Sequence, residues 1–467
     1  MNAVLALSAT QQARLIRDRE ISAAELIQAH LDRIAQVNPA INAAVEVLGE
    51  RALTEARSAP DGPLHGVPFS IKDSIELAGT VCTAGTLGRA DAAPSTEDAT
   101  LVARLRAAGA IPIARTNLPD LLFAFESDNL IFGATNNPYD LTRTSGGSSG
   151  GEAALIAACG SPLGLGSDAA GSVRVPAAFC GIASIKPTSG RLPRAGHFPP
   201  AGGWIEALWQ IGPMARHVED LSCAMALLAG PEAVPFYDPL DVGLRDLRIA
   251  FYTDNGIAAT DPEVLQVVRA AAHSLMDDVI AVDEARPAGI ENAYDLEMKL
   301  LGADGGDALW QLLETLGSTA AHPLLRGWLE KLERYRTDLA GFQKYWEEWD
   351  QYRAAMLAFF RDYDAILCPV YTQAALPHGT STLEENFRGF SHTMAYNLTG
   401  WPAAVVRCGE SASGLPIAVQ VVAHPWWEDV ALAVAAWLEQ AFGGWKAPTP
   451  SGSSSPDPTG TRAARSS

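Results

Sequence analysis

The sequence predicts an α/β fold in which helices cover a mainly buried sheet, and three observations carry that prediction. From residue 64 onward, short apolar runs broken by Gly and Pro alternate with amphipathic stretches: VPFSI, then EDATLVARLRAAG, then AIPIAR. They read as strand, helix and strand. Apolar residues make up 48% and charged residues 19% of the 467 positions, with 41 Gly and 30 Pro. That is the balance of a loop-rich globular protein with a sizeable core. Finally, no apolar run of about 18 residues occurs, so no membrane-spanning helix is expected.

Taken in order, Ser8 precedes a first helix. Ser22 with Glu25 makes a capping box for a second, on which Leu26, His30 and Ile34 share one face. The strand and helix alternation follows. GPEAVPFYDPLDVGLRD, dense in Pro, Gly and Asp, marks a change of segment before LRIAFYTD resumes as a strand. Residues 291–361 read as helices carrying Trp310, Trp328, Trp346 and Trp349, which serve as a packing layer or as a cap over a site. EDVALAVAAWLEQAFGG is a last helix, with acids at its start and Gly443 at its end. Beyond Lys446 the chain is rich in Ser, Pro and Gly, so residues 447–467 are expected to be disordered.

Charge and cysteine content narrow the function. The 34 basic and 54 acidic residues leave a formal charge of -20, which repels phosphate backbones and anionic lipid surfaces and argues against nucleic-acid or membrane partners. The six cysteines form no CxxC pair, so neither a disulfide framework nor structural zinc is expected. The N-terminus lacks a basic, then apolar, leader pattern, and a cytoplasmic location is expected.

The chemistry concentrates in three short stretches. Lys72 is one of only six lysines and stands in the strand-like VPFSIKDSI. Side-chain alternation puts it with Ser70 on the face opposite Val67, Phe69 and Ile71. Taken alone it fits a strand-end ion pair with Asp73 as readily as a functional amine. TSGGSSGGEAALIAACG places Ser148 among four glycines. Ser149 and Glu152 have capping-box spacing, so a helix should open directly after the loop. GLGSDAAGSVRVPAAF flanks Ser172 with small residues, which suits either an accessible hydroxyl near inward N–H groups or a close helix contact. Gly146, Ser148 and Gly150 also fit G-x-S-x-G, but the preceding NPYDLTRT is polar loop, not the strand a nucleophile elbow needs. Gly164, Gly166 and Ala169 fit a loose dinucleotide fingerprint that Pro176 spoils. His197, His217, His378, His392 and His424 lack a spacing that singles out a base.

LHGVPFSIKDSIELAGT, GGSSGGEAALIAACGSPLGLGSDAAGSVRVPAAFCGIASIKPT and GPMAR resemble the amidase signature family. The resemblance is dense over about residues 60–220 and returns in GWPAAVV and GLPIAVQVV. It implies one domain over residues 1–446, built on a single large mixed β-sheet with helices on both faces. It also implies a triad of Ser172 as nucleophile, Ser148 as bridging serine after a cis peptide from Gly147, and Lys72 as base. Backbone N–H groups of Ala169, Ala170, Gly171 and Ser172 would form an oxyanion hole, supported by Asp168 and Arg174. The family usually has Gly where this chain has Ala170, so the backbone there must accept a Cβ. No metal or organic cofactor is implied, and a homodimer is.

The implied chemistry sets a physical requirement. A lysine with its ordinary pKa of about 10.4 is protonated at neutrality and cannot accept a proton. Lowering that value to about 7 to 8 disfavours the ammonium by roughly 3 to 5 kcal/mol, which burial beside neutral hydroxyls can supply. Asp73, on the other face of the strand, is therefore expected not to pair with the amine. In the Pro- and Gly-rich stretch 192–212, Phe198, Trp204 and Trp209 are candidate walls for an apolar or aromatic amide, ester or carbamate, or else pins that hold the loop. The same family includes the glutaminase component of tRNA-dependent amidotransferase complexes, which needs a charged clamp for glutamine that the sequence does not display. A catalytically silent binding protein is the third alternative, which retention of Lys72, Ser148 and Ser172 argues against.

Overall fold

The computed structural model describes residues 3–200, 203–230 and 234–448, with the side chains of 203 and 204 outside the described set. The predicted tail therefore lies, from residue 449, outside the described residues. The strands in chain order are β1 (Ala44–Val47), β2 (Pro68–Lys72), β3 (Ile111–Thr116), β4 (Asn136–Asn137), β5 (Asp140–Thr144), β6 (Leu163–Asp168), β7 (Ala183–Lys186), β8 (Gln210–Ala215), β9 (Arg248–Phe251), β10 (Ala281–Glu284), β11 (Ala365–Pro369), β12 (Ala403–Glu410) and β13 (Pro416–Ala423). β4 and β5 pair with each other. The rest form one 11-stranded sheet in the order β1-β3-β2-β6-β8-β7-β12-β13-β11-β9-β10.

The sheet is mixed. β2 runs parallel to both β3 and β6, and the middle strands from β6 to β11 pair antiparallel. Side-chain alternation feeds two cores: Ala404 and Val406 join one apolar cluster, and Val405, between them, joins the other. Helices Val218–Ala229 and Glu428–Phe442 supply the first cluster, and Gly150–Ala157 and Arg174–Phe179 the second. β9 to β11 belong to the same sheet, so the Pro- and Gly-rich segment near residue 240 links strands of one sheet.

Local signals explain most boundaries. Ser8 and Ser22 both cap their helices through the expected box, and Leu26, His30 and Ile34 are buried. Gly443 ends the last helix in a left-handed conformation. One local expectation is corrected. The helix Gly150–Ala157 starts where predicted, but Ser149 makes no side-chain cap. Its Oγ instead donates to the Ser167 carbonyl at 3.2 Å, and Glu152 turns away to accept from Ser70 at 2.5 Å and Thr116 at 2.7 Å. Buried hydroxyls outcompete the cap because a buried carboxyl without partners is costly.

Two of the tryptophans in the helical region 291–361 pack as a layer. Trp328 and Trp349 are buried in apolar clusters, and Trp310 is exposed. Among the described residues no helix is long and apolar enough to cross a membrane.

Candidate active site

Three adjacent strand and loop ends build the site. β2 delivers Lys72 at its C-terminal end, fully buried beside β6. The loop before helix Gly150–Ala157 delivers Ser148 after a cis Gly147–Ser148 peptide. Gly147 is required by close approach, since a Cβ there would stand 2.5 Å from the Glu126 nitrogen. The turn following β6 delivers Ser172, and the Ser149 N–H ties the two loops together by donating to the Ser172 carbonyl at 3.1 Å.

Lys72 Nζ donates to Ser148 Oγ at 2.6 Å and to Ser167 Oγ at 3.1 Å. No carboxylate forms an ion pair with it among the described residues. Asp73 points to the other face, where Arg115 Nε donates to its Oδ1 at 2.6 Å and the Thr83 hydroxyl donates to Oδ2. Burial drives the Lys72 ammonium well below the ordinary lysine value, against the opposing fields of Asp168 and Glu152. Glu152 is itself pushed up by burial, to about 8, which disfavours its charged form. Ser148 and Ser172 line one small cavity, with Ser167, Ala169 and Ala170. Their hydroxyls share it without a direct hydrogen bond among the described residues.

Asp168 organises the turn that holds Ser172. It accepts from the N–H groups of Gly171 at 2.9 Å and Val173 at 3.1 Å and is paired with the Arg174 guanidinium at 2.9 Å. Burial alone would raise its carboxyl, but the Arg174 charge, with hydrogen bonds from Arg174 and Asn397, holds it well below the usual carboxylate range. The same turn carries the N–H groups expected to form an oxyanion hole. The Gly171 N–H is taken by Asp168, which leaves the N–H groups of Ala169, Ala170 and Ser172 without a hydrogen bond among the described residues. Ala170 does not adopt a positive φ, whereas Gly171 does at +129°. The Cβ at Ala170 is thus accommodated, and the glycine requirement falls one residue later.

Several supporting residues escape the sequence reading: Ser167 beside the amine, Thr393 donating to the Ala170 carbonyl at 2.7 Å, and Asn397 and Gln420 on Asp168 and Arg174. Only the proximity of Ser167 to Asp168 on β6 gave a signal for any of them. The expected wall residues divide. Trp209 is buried and lines the small cavity together with Leu122, Phe123, Ile205, Leu301 and Trp328. Phe198 is not among the described residues that line this cavity. It packs beneath the Arg89 guanidinium, 4.0 Å from its ring centre, and pins the loop. The Trp204 side chain lies outside the described residues.

The small cavity, of about 30 Å³, adjoins a second of about 570 Å³. Phe123, Ile205, Trp209 and Leu301 line both. The larger chamber is mostly apolar, with Leu300, Leu309, Leu312 and Phe342 from the helical region among its walls. Asp304 and Asp338 are its charged residues, and no Lys, Arg or His lines either cavity among the described residues.

A large mixed sheet with helices is the architecture of the amidase signature hydrolases, which act on carbon–nitrogen bonds of amides. The sequence profile of the Amidase family matches residues 25–432, and the chain belongs to that family. It is similar to human fatty-acid amide hydrolase 2, 32% identical over 95% of this chain and 91% of that protein. It is also similar to the glutamyl-tRNA(Gln) amidotransferase A component of Thermus thermophilus, 34% identical over 91% of this chain and 94% of that protein. Among solved structures, 6-aminohexanoate cyclic dimer hydrolase complexed with substrate matches with a TM-score of 0.85 and 29% identity, over 94% of this chain and 98% of that one.

Proposed function

We propose that the chain is a serine amidohydrolase for amides with one large apolar substituent, working through an acyl-enzyme on Ser172. The observation that carries this reading is the buried Lys72 amine at 2.6 Å from Ser148 Oγ with its neighbouring acid held elsewhere. A neutral amine there takes the Ser148 proton as Ser148 takes that of Ser172, and the Ser172 oxygen attacks the carbonyl carbon. The resulting oxyanion accepts from the free N–H groups of the Ala169–Ser172 turn, each such donor being worth about 3 to 4 kcal/mol. Collapse expels the amine, which receives the proton back from Lys72 through Ser148. Water repeats the sequence to free the acid and restore Ser172.

The chamber supports the substrate class. Its volume of about 570 Å³ and apolar walls suit a fatty or aryl portion, and the small cavity suits little more than the scissile group. The similarity to a fatty-acid amide hydrolase points the same way. The similarity to an amidotransferase component offers glutamine instead, but a free amino acid needs a cation for its carboxylate, and the chamber presents Asp304 and Asp338. Aryl esters and carbamates (urethanes) share the reacting geometry and belong in the same panel.

The test is hydrolysis of fatty amides, acyl anilides, primary amides, esters and carbamates, with glutamine alongside, by wild type, Ser172→Ala and Lys72→Ala. Turnover of apolar amides that both variants lose supports the proposal. Ammonia release from glutamine alone, or variants at wild-type rates, overturns it.

A further inference from the structure

Trp209 stands where the small cavity meets the chamber, and its surroundings hold it from two sides. The Arg194 guanidinium lies over the indole, 4.7 Å from the ring centre, and is nearly fully buried. Its Nε, Nη1 and Nη2 make no hydrogen bond among the described residues, and Glu206 Oε2 is 3.5 Å away. A buried guanidinium that forgoes hydrogen bonds draws its compensation from that carboxylate and from the ring face. On another side, the His197 ring meets the indole edge-on at 5.2 Å and 69°. His197 Nε2 is in turn 3.1 Å from Ser74 Oγ, two residues beyond Lys72, and Phe198 N donates to the Ser74 carbonyl at 2.7 Å. The segment that carries the candidate base and the loop that carries the indole are therefore braced against each other.

Resting on the amidohydrolase reading above, we infer that Trp209 is a specificity-determining partition and that Arg194 and His197 are positioning residues that fix it. With Phe123, Ile205 and Leu301 it forms the neck through which a substrate passes from chamber to reacting serine. A rigid neck admits an unbranched chain and rejects bulk on the carbon next to the scissile carbonyl. Packed walls do not yield to an extra methyl without shifting neighbours.

The experiment compares kcat/KM for two p-nitroanilides, octanoyl and 2,2-dimethyloctanoyl, in wild type, Trp209→Ala, Trp209→Phe, Arg194→Met and Arg194→Lys. Removing the indole should raise the branched-to-linear ratio by about tenfold or more, the scale a pocket change of several methylenes produces. Arg194→Met should raise it in the same direction by about threefold, and Arg194→Lys, which can keep a cation over the ring, should restore the wild-type ratio. Should Trp209→Ala fail to fold, Trp209→Phe and Arg194→Met decide by the same ratio. An unchanged ratio in folded variants overturns this inference and leaves the amidohydrolase reading standing. Failure of the wild type to cleave the linear anilide, or to take a fluorophosphonate label at Ser172, overturns that reading instead.

Discussion

Asp73, the residue directly after Lys72, gives its carboxylate to Arg115 at 2.6 Å and not to the lysine. Asp73 is the first residue beyond β2, and Arg115 with the Thr83 hydroxyl holds the acid nearest in sequence away from the amine. An ion pair at Lys72 would stabilise the ammonium and remove the base the chemistry needs. The Asp73–Arg115 pair is therefore part of what leaves Lys72 free to be neutral.

Replacing members of the relay should separate their roles. Ser172→Ala should abolish both turnover and fluorophosphonate labelling. Ser148→Ala and Lys72→Ala should each lower kcat/KM by about 10²- to 10⁴-fold, the span that general-base catalysis supplies. Steady-state kinetics on an acyl anilide checks this, and a Ser148→Ala enzyme within twofold of wild type would remove Ser148 from the path.

Breaking the Asp73–Arg115 pair should cost stability. In Arg115→Met, Asp73 loses the cation that holds it, although the Thr83 hydroxyl remains. The fold should lose about 3 to 5 kcal/mol, the cost of breaking a buried pair from one side. Chemical denaturation measures the loss, and a change below about 1 kcal/mol would mean that the pair is not what secures this corner.

Glu152 gives a pH signature in stability. Its folded value is raised by burial to about 8 from an ordinary 4.5. The folded state thus holds a proton that the unfolded state has released, so the contribution is fully present below about pH 4.5 and is lost as pH rises through about 8. Lys72, with its value lowered, slopes the other way and is common to both proteins in the comparison. Glu152→Gln should therefore flatten the decline in Tm between about pH 5 and 8 relative to wild type, as scanning calorimetry would record. Parallel profiles would contradict the protonated buried carboxyl.

Gly171→Ala should damage the turn that holds Ser172. The added Cβ would stand 2.3 Å from Thr393 Oγ1, and the backbone sits at φ +129°, a region that L side chains avoid. A destabilisation of about 1 to 3 kcal/mol is expected, with kcat falling more than KM rises. An equally stable and active variant would show that the turn has room to relax.

How much of this was legible in the sequence depends on the range of the interaction. Helix caps at Ser8 and Ser22, the strand ending at Lys72 and the helix after the glycine loop are local, and their signals lie within a few residues. The three candidate side chains lie on short stretches that the family resemblance marks. Arg115 on Asp73 and Asn397 on Asp168 are pairings across 42 and 229 residues, set by sheet register and helix docking, and nothing local announces them. The Ser149 and Glu152 spacing suggested a cap, yet buried hydroxyls on β2 and β3 took the carboxylate. The chamber was the least legible feature, because its walls come from separate segments that only the fold brings together.

The sharpest single test is the rate at which a fluorophosphonate modifies the protein as a function of pH, with the modified peptide identified by mass spectrometry. A buried, neutral Lys72 requires an adduct on Ser172 that forms fully at neutrality and slows only as acid protonates a lysine perturbed well below its ordinary value. An adduct on another residue, or a rate that rises only near the ordinary lysine pKa of about 10.4, would contradict it.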